Sequence, residues 1–167
     1  MRGATLRKRG RKGHGARMTP PASATGDAFA LSIADPTLLA LYRHWLQARG
    51  TRAMPGRKQI DPMAIQATLP NLFLYDYDAA ANDGEGRFYC RLAGEQINAM
   101  VGTVCSKRYL DQIFQSPVLE VVHQRYREVV TTPTVFFMHG VVRMANGLSV
   151  PGERVILPLA SDGATGD

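Results

Sequence analysis

The sequence predicts an α+β domain, an antiparallel sheet with helices on one face. Three observations carry this. The 167 residues are 45% hydrophobic, enough for one core with some chain to spare. Strands gather toward the two ends of the domain, with a run of helices between them. The first two strands are joined by "AAANDGEG", whose Asn, Asp and Gly are turn formers, so they read as a hairpin.

The domain is expected to span 31–167, behind a tail covering 1–30. Residues 1–17, "MRGATLRKRGRKGHGAR", hold seven of the twenty Lys and Arg and no acid, which leaves the rest at a net charge of −1. The pI of 9.7 therefore belongs to the tail. Residues 18–30 are rich in Pro, Ser, Thr, Ala and Gly, and with the basic block they predict disorder. Such a block either binds nucleic acid or anionic membrane, here through Arg2–Arg17, or is a solvated extension ahead of a start at Met18. No apolar run approaches the ~18 residues of a membrane span, and no apolar stretch follows the basic block as in a secretory signal. Cys90 and Cys105 form no CxxC pair, and a reducing cytoplasm is the expected setting.

Order is expected from Asp35, an N-cap followed by Pro36 at the first helical position. Leu38, Leu41, Tyr42 and Trp45 recur at helical spacing, and Arg49 and Gly50 write the stop. "RAMPGRKQ" is an extended connector, since Pro55 keeps Met54 out of the α region. Asp61 is read as the cap of a second helix, opened by Pro62, ended by Pro70 and stapled by Ile60 and Ile65. The strand "LFLYDYD" divides into Leu72, Leu74, Asp76 and Phe73, Tyr75, Tyr77. In "RFYCRLAG", Phe88, Cys90 and Leu92 share a face. Helices are expected at "EQINAMV", "KRYLDQIF" and "SPVLEVVHQRYREVV", the last capped by Ser116 and striped by Leu119, Val122, Tyr126 and Val129. In "VFFMHGVVRM", Phe136, Met138, Val142 and Met144 form the core face, with Val135, Phe137, His139, Val141 and Arg143 opposite. "ERVILPLA" offers Val155, Leu157 and Leu159 to the core.

Taken together, "RAMPGRKQIDPMAIQATLPNLFLYDYD", "RFYCRLAGEQI" and "RVILPLASDG" resemble bacterial PAS-like domains, over residues 38–163. The resemblance implies a five-stranded antiparallel sheet in spatial order 2-1-5-4-3 with short helices over one face. It implies a sensory, ligand-binding or dimerising role without catalysis. It also implies a fifth strand after "LPLASDG", between the first and fourth. Only four strands are counted here, so open edges and a marginally stable, oligomeric chain are expected. "DAFALSIAD", with Phe29, Leu31 and Ile33 alternating, is the local candidate to fill that position.

No GxSxG, HExxH or metal-spaced Cys/His cluster occurs. The chain is expected to be no enzyme and to carry neither catalytic residues nor a metal site. Cys90, mid-strand between Phe88 and Leu92, reads as a buried inert thiol; light-sensing PAS relatives place their adduct cysteine in a polar helical context lacking here. His123 faces away from its helix's apolar stripe, toward solvent. The resemblance adds a haem-ligand reading for it, without any other haem cue. His139 is expected on the exposed sheet face and His44 on the polar side of the first helix.

A cavity of the PAS type would be lined by Phe88, Cys90, Leu92, Met100, Leu110, Phe114, Val122, Phe136 and Met138, residues that equally suit a filled core. Val135, Phe137, Val141 and Ile156 make the other sheet face apolar, which marks an interface. PAS domains pack that face against a flanking helix, here the one from Leu38 to Leu46, or against a second protomer. The expected partners are a second copy, a PAS-type partner protein or an unidentified small ligand.

Overall fold

The computed structural model describes residues 15–18, 29–160 and 166. Of the expected tail, residues 1–14 and 19–28 lie outside these. Gly15–Met18 form a short strand, β1. Phe29 is buried in the core, so the packed chain begins before the expected boundary at residue 31.

Helix α1, Pro36–Arg49, has the ends its sequence writes. The Asp35 carboxylate accepts from the N–H groups of Thr37 at 2.7 Å and Leu38 at 3.1 Å. Gly50 closes the helix at φ 57°, a conformation that favours glycine. The expected second helix does not form. Asp61 accepts from the N–H of Met63 at 2.9 Å, a local turn, and the chain then makes a 3₁₀ stretch, Gln66–Asn71, with Pro70 inside it. A side chain that bonds its own backbone two residues on competes with helix formation.

Strands β2, Phe73–Asp78, and β3, Arg87–Ala93, form the expected hairpin. A bulge pairs Leu74 with Leu92 but Tyr75 with Cys90. Phe88 and Cys90 therefore share a face while Leu92 turns to the other and stands 41% exposed, correcting the face read from alternation. Next come α2, Glu95–Val101; β4, Arg108–Tyr109, on the outer edge of β3; α3, Leu110–Ile113; and α4, Val118–Thr131. Helix α4 starts one residue later than expected, at Val118 and not Pro117, and Ser116 does not cap it.

Two further strands, β5, Val135–Arg143, and β6, Ser149–Ile156, pair antiparallel, and β1 lies on the free edge of β5. The six strands among the described residues thus form two three-stranded sheets, β1-β5-β6 and β2-β3-β4. The segment read as a candidate strand turns instead. Ser32 donates back to the Phe29 carbonyl, Phe29 and Ile33 enter the core, and Leu31 is left 88% exposed.

The β5–β6 pair is covered on both faces. On one, α1 brings Tyr42 and Trp45 against Phe137, Val135 and Val155, with Phe29, Ile33 and Met54 completing the cluster. The Trp45 indole N–H donates to the Pro158 carbonyl at 2.9 Å. On the other face, Phe136 and Ile156 pack with Phe88, Leu110, Tyr126 and Val129. Of the two covers implied for the face of Val135 and Phe137, a flanking helix or a second protomer, the helix is present: α1 buries both. One sequence expectation changes here. Ile156 pairs with Phe136 and Val155 with Phe137, so the assigned faces of the last strand are exchanged.

These placements predict distinct mutational costs. Phe136→Ala should lower unfolding free energy by about 3–5 kcal/mol. Phe137→Lys, which puts an unpaired charge beneath α1, should cost at least about 3 kcal/mol. His139→Ala, at an exposed position, should stay within about 0.5 kcal/mol. Urea titrations decide; a harmless Phe137→Lys would mean that α1 does not cover this face.

Candidate functional site: a cleft between two sheet edges

Among the described residues, strand β2 pairs only with β3, and β6 only with β5. Among the described residues, no other backbone group bonds to the second edge of either strand. Between these edges lies a cleft of about 1960 Å³. Leu38, Leu41 and Trp45 of α1 line one side together with Leu157 and Leu159. Phe73, Tyr75, Met100, Tyr126 and Met138 line the other. Arg154 and five of its neighbours, Phe73, Tyr75, Ile97, Met100 and Tyr126, also wall a second niche of about 30 Å³ beneath α2 and α4.

Of the residues expected to line a cavity, Phe88, Leu92, Met100 and Met138 reach the cleft. Phe114 and Val122 border the small niche. Cys90, Leu110 and Phe136 are packed into the interior and reach neither. Of the expected interface residues, Val141 is 74% exposed and borders the cleft.

The histidines are placed by hydrogen bonds. His123 does not face solvent; its Nε2 lies 3.0 Å from the Gly86 carbonyl, its ring meets Phe88 edge-on, and it borders neither cavity. The haem-ligand reading would require this ring to point into the cleft, and it does not. His44 accepts the Asp61 N–H at 3.0 Å, fixing the connector to α1. His139 is exposed, as the strand pattern indicated. No three His, Cys, Asp or Glu among the described residues group closely enough to hold a metal. No described helix is long and apolar enough to cross a membrane.

Charge at the cleft is sparse. Asp35 and Glu153 are occupied at the start of α1, where Glu153 accepts from the N–H groups of Ala34 and Asp35. At the mouth, Arg57 reaches Asp76 at 2.8 Å. Deeper in, burial pushes the Tyr75 phenol well above its ordinary range, with Tyr126 adding to the effect. Burial likewise pushes Tyr126 up to about 12, against the opposing pull of the Arg154 charge. The Cys90 and Cys105 thiols are raised by burial as well, and both remain unpaired with one another. The cleft thus combines apolar walls, two phenols that burial keeps protonated and, among the described residues, the Arg154 cation shared with the niche.

Sequence reasoning missed Tyr75, Tyr126 and Arg154 as cleft residues. Arg154 had a signal, being a charge placed two positions before Ile156 and so on the same strand face as that apolar residue.

The PAS domain family model matches residues 33–167, and the chain belongs to this family. No curated protein and no solved structure matches it.

The raised tyrosine predicts a pH dependence. Between about pH 10 and 12 the folded state keeps the Tyr126 proton that the unfolded chain has lost, so stability falls as pH rises. The slope from this one group approaches about 1.4 kcal/mol per pH unit. Urea titrations at pH 9 to 12 should show Tyr126→Phe flattening the fall by about that amount; an unchanged slope would mean the phenol is not buried.

Proposed function

We propose that the protein is a non-catalytic sensory module whose cleft receives an occupant and whose occupancy is passed on by association with a second copy or a partner protein. Family membership supports a sensory or interaction role in general. The cleft is the observation that carries the rest, because it is large, mostly apolar and dotted with a few polar groups, as binding sites are. Its two walls belong to sheets that share no strand pairing among the described residues. An occupant touching both adds a link to the core packing that already joins them, and binding only the folded state stabilises it by mass action.

Native mass spectrometry of protein purified from its own cells tests this, reporting bound mass and assembly together. A retained occupant is expected, and Leu92→Arg should expel it while changing the melting temperature by no more than a few degrees, since Leu92 is 41% exposed and borders the cleft. An empty cleft in both proteins, with no difference in assembly, would refute the proposal.

The unpaired edges of β2 and β6 favour a second reading, in which the occupant is an extended peptide bonding to both. A six-residue-scale peptide of alternating apolar residues, about the length of a typical strand, should then raise the melting temperature. Its backbone N-methylated form should not; equal effects would rule out strand pairing.

A further inference from the structure

We propose that the cleft selects an anionic amphiphile, a carboxylate on an apolar body, and that Arg154 is the residue that fixes its head group. This rests on the cleft being the binding site and goes further by naming the chemistry of what it takes.

Arg154 pairs with Met138 across β5–β6 and shares a face with Ile156, so it projects toward the α4 side, where it lines both cavities. It is half-buried among Phe73, Tyr75, Ile97, Met100 and Tyr126. Among the described residues, no carboxylate, hydrogen-bond acceptor or ring face meets its guanidinium. Each of the other half-buried arginines has a partner among the described residues, although the Arg49 Nε is buried without a hydrogen-bond acceptor. Arg87 holds Asp111, Arg127 holds Glu85, and Arg108 bonds Thr103. Arg49 and Arg125 lie over the rings of Trp45 and Phe136. A guanidinium set beside apolar walls, partly screened from water, gains from a counter-charge that meets it there.

The nearby acids do not supply that charge. Glu153 precedes Arg154 and points to the opposite face, where it and Asp35 are held by backbone N–H groups at α1. Tyr126 offers a second donor, because its hydroxyl has no hydrogen-bond partner among the described residues and stays protonated at neutral pH. A planar guanidinium and a phenol suit a carboxylate, which accepts two parallel bonds from the first and one from the second. The surrounding walls, including Phe73, Ile97, Met100, Val129 and Met138, suit an aliphatic or aromatic body.

The test titrates the full chain with dodecanoate and, in parallel, with dodecanol, following the fluorescence of Trp45, the single tryptophan and a cleft residue. Dodecanoate should bind about tenfold or more tightly than dodecanol, the factor that one charge-assisted hydrogen bond supplies. Arg154→Gln and Arg154→Met should each remove the preference while still binding dodecanol, and Lys58→Ala at the mouth should leave it intact. Equal binding of the two probes by the unaltered protein, or a preference that survives both Arg154 substitutions, overturns the assignment to Arg154 and leaves the cleft as a binding site. Binding of neither probe overturns this inference; the native mass measurement decides separately whether the cleft is occupied at all.

Discussion

The β5–β6 pair is apolar on both faces, and both must be kept from water. Phe136 and Ile156 point one way, Phe137 and Val155 the other, and all four are buried. A large apolar side chain left in water forgoes roughly 1.5–3 kcal/mol. A single layer of helices covers only one face, so α4 and its neighbours cannot satisfy both. Helix α1 is the second cover, and the long connector that follows it returns the chain to the hairpin.

That cover is stitched in place by backbone bonds as well as by packing. Trp45 donates to the Pro158 carbonyl, and the Ala160 N–H donates to Pro55 at 3.0 Å, so the "MP" and "LPLA" stretches meet although about a hundred residues separate them. A second meeting joins "LP" to "RLAG". The Gly94 N–H donates to Leu72 at 2.8 Å, and a Cβ on Gly94 would collide with the carbonyl oxygens of Leu69 and Pro70. Only a glycine lets these backbones approach so closely. The two stitches fix opposite walls of the cleft independently.

Much of this was legible in the sequence, and the rest was not for identifiable reasons. Helix α1 could be read because its cap, stripe and stop are all local. Residues 61–71 could not, since an Asp–Pro pair opens a turn as readily as a helix. The face of Leu92 depends on a bulge, and the faces of Val155 and Ile156 depend on register with β5; neither is a property of the strand's own alternation. Of the residues read as cavity candidates, Phe88, Leu92, Met100 and Met138 lie along the cleft. Its true extent was hidden, because a gap between two sheet edges is made by pairings that do not form, and composition does not encode these.

Asp76 is shared by Arg57 at 2.8 Å and Arg91 at 3.1 Å, joining the connector to the hairpin across one carboxylate. All three side chains are substantially solvent-exposed, so each bond contributes only about 0–1 kcal/mol and weakens as salt shortens the Debye length to about 8 Å. Arg57 stands at the lip of the cleft beside Lys58. The lip is thereby tethered by an ionic latch, and the ionic strength of the surroundings sets how firmly that doorway is held.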